Sequence, residues 1–170
     1  MHIYLIGLTG SGKTTLGKQI AQMLKLSFID LDEYVCRKEN KTVSQIFADH
    51  GETYFRNKET EAIKELSKEK NLLIATGGGA ACFNDNMTIM NVSGITVFLY
   101  VPVQEITDRL WSSPQRDKRP MIEGKNKEQL LAYMTELYEQ RLPFYNQAKL
   151  IIKGNSISAN DIVLSLNEMD

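Results

Sequence analysis

The 170-residue chain has a formal net charge of −1, with 42% hydrophobic and 24% charged residues, the proportions of a soluble globular domain able to bury one good core. Such near-neutrality gives no general attraction to nucleic acid or an anionic membrane, so any anion site has to be built locally. No apolar stretch approaches membrane-spanning length, no cleaved leader is expected ahead of a first strand at residue 3, and Cys36 and Cys82 lack metal-ligand spacing or secreted-scaffold density, reading instead as free thiols in a reducing cytosol.

Along the chain, the run Ile3-Tyr4-Leu5-Ile6 is a buried strand that delivers Gly7-Leu8-Thr9-Gly10-Ser11-Gly12-Lys13-Thr14. This segment fits G-x-x-x-x-G-K-[ST], the phosphate-binding P-loop, and helical periodicity follows it to Leu26. Glycines let the backbone wrap an anion, and the next helix opens with unpaired N–H groups. Lys13 is expected to reach the β- and γ-phosphates, with the Thr14 hydroxyl ligating Mg²⁺. The second strand ends Phe28-Ile29-Asp30-Leu31-Asp32, and carboxylates two apart in extended chain point the same way. One of them suits a water-held Mg²⁺ and the other a substrate hydroxyl, unless Asp32 merely caps the following helix.

Gly51-Glu52-Thr53-Tyr54-Phe55-Arg56 opens a long charged helix with Glu59 three residues on, a spacing that by itself indicates a surface ion pair. A third strand leads into Thr76-Gly77-Gly78-Gly79-Ala80, where three glycines either bring bare backbone against a substrate or make a tight crossover. The segment Ser112-Ser113-Pro114-Gln115-Arg116-Asp117-Lys118-Arg119-Pro120 is polar and basic, either a lid over phosphates or a solvated connection. Arg141 stands near a helix end before Pro143, where the macrodipole favours it, and with Arg56 it would make a carboxylate clamp. Ser158-Ala159-Asn160-Asp161 reads as a capping box. His2 and His50 stand apart from every motif. Strands are expected near 3–6, 27–29, 72–75, 95–101 and 149–152, and helices over 13–25, 32–39, 43–49, 52–69, 103–111, 126–146 and 159–168, an α/β pattern with a parallel sheet.

Taken in order, G-L-T-G-S-G-K-T-T (7–15), F-I-D-L-D (28–32), I-F-A-D-H-G-E-T-Y-F-R (46–56), T-G-G-G-A (76–80), R-D-K-R-P-M-I (116–122) and R-L-P-F-Y (141–145) resemble the motifs of the shikimate kinase family. The resemblance implies a nucleoside-monophosphate-kinase-like three-layer P-loop fold, a five-stranded parallel sheet and a mobile lid. It also implies one kinase domain over 1–170, with substrate-binding helices over about 32–61 and the lid over about 112–124. The implied reaction transfers the ATP γ-phosphoryl group to the 3-hydroxyl of shikimate, toward chorismate and the aromatic amino acids.

On that resemblance Gly10, Ser11, Gly12, Lys13, Thr14 and Thr15 bind ATP, with Arg109 near the adenine and Arg116 and Arg119 closing from the lid. Thr14 and Asp30 hold Mg²⁺. Asp32, Arg56, Gly77, Gly78, Gly79 and Arg141 bind shikimate, with Glu59 orienting Arg56, and Lys13, Asp32 and Arg119 are catalytic. A cytoplasmic monomer with ATP and shikimate as its partners, binding neither nucleic acid nor membrane, is the implied setting. The chain departs from the common pattern in having R-P-M-I where many relatives have R-P-L-L, and in lacking an arginine in Lys153–Ser158 that some carry. Rival readings are a gluconate- or adenylate-type kinase, and a kinase-like regulatory module without catalysis.

Overall fold

Every residue of β1 (His2–Ile6) is buried, because this strand runs through the middle of the sheet. The computed structural model describes residues 2–114 and 122–169. Its sheet also contains β2 (Ser27–Asp30), β3 (Leu72–Ala75), β4 (Ile95–Tyr100) and β5 (Leu150–Lys153), all parallel, in the order β2-β3-β1-β4-β5. Leu5 is level with Ala75 on one side and Val97 on the other, so β1 and β3 end together at the same edge. The helices are α1 (Lys13–Leu24), α2 (Leu31–Glu39), α3 (Val43–Leu66), α4 (Asn86–Ser93), α5 (Val103–Ser112), α6 (Lys127–Tyr145) and α7 (Ala159–Asn167).

Alternation along β1 divides the core in two. Ile3 and Leu5 pack with Ile20 and Ala21 of α1 and with Ala159, Ile162 and Leu166 of α7. Tyr4 and Ile6 face the other way, into the layer built by α2 to α6. The chain leaves β1 toward β2 and later crosses to β4 on β1's other flank. That reversal puts a crevice at the carboxyl ends of β1 and β3, where open parallel sheets bind ligands.

The five strands lie where the sequence puts them, within a residue or so, and the capping box forms: Ser158 Oγ accepts from Asp161 N at 3.2 Å and Asp161 accepts from Ser158 N at 2.9 Å. The helices expected over 43–49 and 52–69 form with their break at Gly51, whose φ of 82° and ψ of 173° are non-helical; taken together as α3 they end at Leu66. Two local expectations are corrected. Asp32 is not on extended chain: Asp30 caps α2, accepting from Asp32 N at 3.1 Å and Glu33 N at 3.2 Å, so Asp32 sits in the first helical turn. The alternative that Asp32 is the cap is thereby excluded. Helix α4 was not anticipated, since only Met87 and Met90 of its eight residues are buried hydrophobics and its polar face carries no periodic signal. The lid over about 112–124, with Arg116 and Arg119, lies largely outside the described residues.

Gly94 joins α4 to β4 against the back of β1, and a Cβ there would lie 2.7 Å from both Cβ and the carbonyl oxygen of His2. Backbone cannot yield as a side-chain tip does. Gly94→Ala is expected to lower folding stability by about 1–3 kcal/mol, read from the midpoint of urea unfolding.

Candidate active site

The crevice is a cavity of about 360 Å³ lined by the P-loop residues Thr9, Gly10, Gly12, Lys13, Thr14 and Thr15, by Asp30 and Asp32, by Thr76, Gly77 and Gly78, and by Arg109, Leu110 and Ser113. Its phosphate side follows from loop backbone. Gly7, Gly10 and Gly12 have φ of 142°, 88° and 95°, a left-handed region that other residues resist. Gly12 is the N-cap of α1, so the loop hands over directly to the open end of a helix. Lys13 is buried beneath this loop, with Nζ donating to the carbonyls of Gly7 and Leu8, each at 2.8 Å. Burial pulls its pKa down to about 8, against the opposing influence of Asp32.

Asp30 divides its carboxylate. Oδ1 caps α2, while Oδ2 accepts from the Thr14 hydroxyl at 2.8 Å. Two hard oxygen donors beside a phosphate loop are the kind of set Mg²⁺ takes from a protein, the rest of its shell being water and phosphate. The residues therefore fit that cation. Asp32 points elsewhere: its Oδ1 is buried without a hydrogen-bond partner among the described residues, and burial, with Asp30 adding, raises its pKa against Lys13 and Arg56.

The glycine triplet explains the rest. Thr76 pins the start of the turn, its N and Oγ1 donating to Leu5 O at 3.1 and 3.0 Å. Beyond it, a Cβ on Gly77 would lie 2.6 Å from Asp32 Oδ1 and 3.0 Å from Glu59 Oε1. On Gly78 it would meet Thr9 Oγ1 at 2.5 Å and Arg141 Nη1 at 3.2 Å, and on Gly79 both terminal nitrogens of Arg56 at 2.7 Å. The turn is therefore bare because five side chains crowd it: Thr9, Asp32, Glu59, Arg141 and Arg56. Tyr145, fully buried, donates its hydroxyl to the carbonyl of Gly78 and fixes the turn to the helix that carries Arg141.

Arg56 is not the surface pair its spacing suggests. Nη1 donates to Glu59 Oε2 at 2.7 Å, and Glu59 is fully buried. The Phe83 ring lies over the guanidinium, 4.3 Å from Cζ to centroid, a cation–π contact. Burial pushes Glu59 up to about 7, with Arg56 the main opposing influence. Arg109 bridges α5 to the 154–158 loop, with Nη2 donating to Asn155 O at 2.9 Å. It also lines an adjoining cavity of about 290 Å³ with Leu16, Val101 and Ile157. Arg116 and Arg119 lie outside the described residues; every other candidate residue is gathered on this one edge of the sheet. Thr9, Phe83, Tyr145 and Glu52 are parts of the arrangement that residue-type reasoning passed over.

Three comparisons bear on this geometry. A family model described as "Shikimate kinase" matches residues 9–169. A shikimate kinase of Parabacteroides distasonis is 46% identical over 149 residues, covering 88% of this chain and 85% of its own length. The crystal structure of a shikimate kinase from Bacteroides thetaiotaomicron superposes with a TM-score of 0.91 at 39% identity, covering 99% of this chain and 97% of the other. One from Acinetobacter baumannii, in complex with shikimate, gives 0.82 at 36% identity, covering 99% and 91%.

The raised Glu59 sets a pH dependence. Its native pKa of about 7 exceeds the ordinary 4.5, so the folded chain holds more protons between those values than the unfolded one. Stability is expected to fall as pH rises from about 4.5 through about 7 by this contribution. Unfolding free energies measured across that window in the wild type and in Glu59→Gln should show the decline reduced in the variant.

Proposed function

The chain belongs to the shikimate kinase family, whose members are ATP-dependent kinases, and we propose that its crevice transfers the γ-phosphoryl group of ATP to the 3-hydroxyl of shikimate, giving shikimate 3-phosphate and ADP. One observation carries the residue assignments: the turn Gly77–Gly79 packs against Asp32, Arg141 and Arg56, while its Gly77 and Gly78 line the same cavity as the P-loop. The phosphate loop, Asp32 and the first two glycines of the turn thus face one space.

ATP lies with its phosphates against residues 10–15, and the phosphate oxygens accept the hydrogen bonds that Lys13 Nζ otherwise gives to its own loop carbonyls. The adenine occupies the adjoining cavity beside Arg109, whose walls Leu16, Val101 and Ile157 are apolar. Thr14 and Asp30 would hold Mg²⁺, which would supply neutralisation of phosphate charge. Arg56 and Arg141 clamp the shikimate carboxylate, and the ring rests on Gly77–Gly79. Asp32 Oδ1, buried and unpartnered, accepts from the 3-hydroxyl and orients it. As the oxygen–phosphorus bond forms and the bond to ADP breaks, the hydroxyl proton passes to Asp32; a loose transition state asks more for alignment than for a strong base. By motif alone, Arg119 neutralises the transferring group and Arg116 assists. Shikimate bound to the A. baumannii relative supports the choice of acceptor.

The enzyme is read as a cytoplasmic monomer whose partners are ATP and shikimate, binding neither nucleic acid nor membrane. Among the described residues both cysteines are free, and no helix is long and apolar enough to cross a membrane.

ADP release from Mg-ATP, with shikimate, quinate, gluconate and AMP offered separately, tests the assignment. Turnover is expected with shikimate, and Arg56→Ala should lower kcat/KM about a hundredfold by removing charged hydrogen bonds to the acceptor. Efficient use of gluconate instead would keep the fold and displace the acceptor.

A further inference from the structure

Arg56 gives all three of its side-chain nitrogens to carboxylates of its own helix. Nη1 donates to Glu59 at 2.7 Å, while Nη2 and Nε both donate to Glu52 Oε1, at 3.0 and 3.2 Å. The two partners differ. The Glu59 side chain is 0% exposed, that of Glu52 55%. A guanidinium presents its Nε–Nη2 edge as a planar fork matched to a carboxylate, and Glu52 stands on that edge. Phe83 and the Gly79 backbone close off other parts of the group.

We propose that Glu52 is an internal occupant of the carboxylate seat on Arg56, so that the acceptor binds by exchanging its own carboxylate for that of Glu52. The proposal rests on Arg56 being the acceptor clamp, as inferred above. Two features keep the exchange easy. Glu52 holds the pair from the solvent side, 55% exposed against 12% for Arg56, and an i,i+4 pair open to water at its carboxylate is a weak one, worth about a factor of two in equilibrium terms. Glu52 is also the first residue after Gly51, where the non-helical φ and ψ restart α3, and a released carboxylate at a helix start remains favoured by the exposed N–H groups there. Nothing lies within 4 Å of a Cβ built on Gly51, so this bend has open space beside it.

The exchange also selects. An acceptor bearing a carboxylate replaces the ion pair it breaks, whereas a neutral one leaves Arg56 with a poorer partner. Glu52 thereby sharpens discrimination at the cost of some affinity for the acceptor itself.

The test is shikimate affinity by calorimetry, with KM and kcat, for the wild type, Glu52→Ala, Glu52→Gln and Arg56→Ala. Glu52→Ala is expected to lower the shikimate Kd and KM roughly two- to fivefold, with kcat within about twofold, and Glu52→Gln to move them less in the same direction. If Glu52 only positioned Arg56, Ala would raise KM and Gln would restore part of the loss. A raised or unchanged KM in Glu52→Ala, with KM raised in Arg56→Ala, overturns the exchange and leaves the clamp. An unchanged KM in Arg56→Ala overturns the clamp itself.

Discussion

Close approach at three positions without side chains is the constraint on which the crevice depends. Gly77, Gly78 and Gly79 do not need unusual dihedrals, for none has positive φ. They need room. A single methyl group at any of them would sit 2.5 to 2.7 Å from Asp32, Thr9 or Arg56. The sheet makes this convergence possible by ending β1 and β3 level, so that the phosphate loop and the glycine turn leave the same edge side by side. Tyr145 and Thr76 then hold the turn, one through the Gly78 carbonyl and the other through Leu5.

Around that turn the chain concentrates charge it must keep compensated. Lys13, Arg56 and Arg141 face Asp30, Asp32 and Glu59, equal numbers of each sign in a chain that is nearly neutral throughout. Burying an ion costs several kcal/mol unless a partner is held in good geometry. Most of these groups have one: Lys13 its loop carbonyls, Asp30 the Thr14 hydroxyl and the start of α2, Arg56 its two glutamates. The exceptions are Asp32 Oδ1 and Glu59 Oε1, buried oxygens without partners, both aimed at Gly77. Unsatisfied groups of this kind lower folding stability, and a hydroxylated acceptor is the chemistry that would satisfy them.

Much of this was legible in the sequence, and for local reasons. A strand, a glycine-rich loop and a helix are contiguous, so the P-loop announces itself within a dozen residues. The apolar runs that become buried parallel strands are equally local. What eluded residue-by-residue reasoning depended on contacts between distant segments. The capping role of Asp30 turned on where β2 stops. The five residues crowding Gly77–Gly79 come from the P-loop, α2, α3 and α6, and no periodicity links them. Phe83 gave no signal because its partner, Arg56, is twenty-seven residues upstream, on α3. Helix α4 failed to register because two buried methionines in eight residues do not make a recognisable stripe.

The most direct test of the glycine turn as the meeting point of donor and acceptor is the steady-state kinetics of Gly79→Ala. The added methyl would displace an Arg56 held by Glu59, Glu52 and Phe83, so KM for shikimate should rise about tenfold or more. KM for ATP should stay within about twofold, because the phosphate loop is untouched. Unchanged shikimate kinetics in a folded Gly79→Ala protein would contradict the account, since Arg56 would then have no need of the bare backbone beside it.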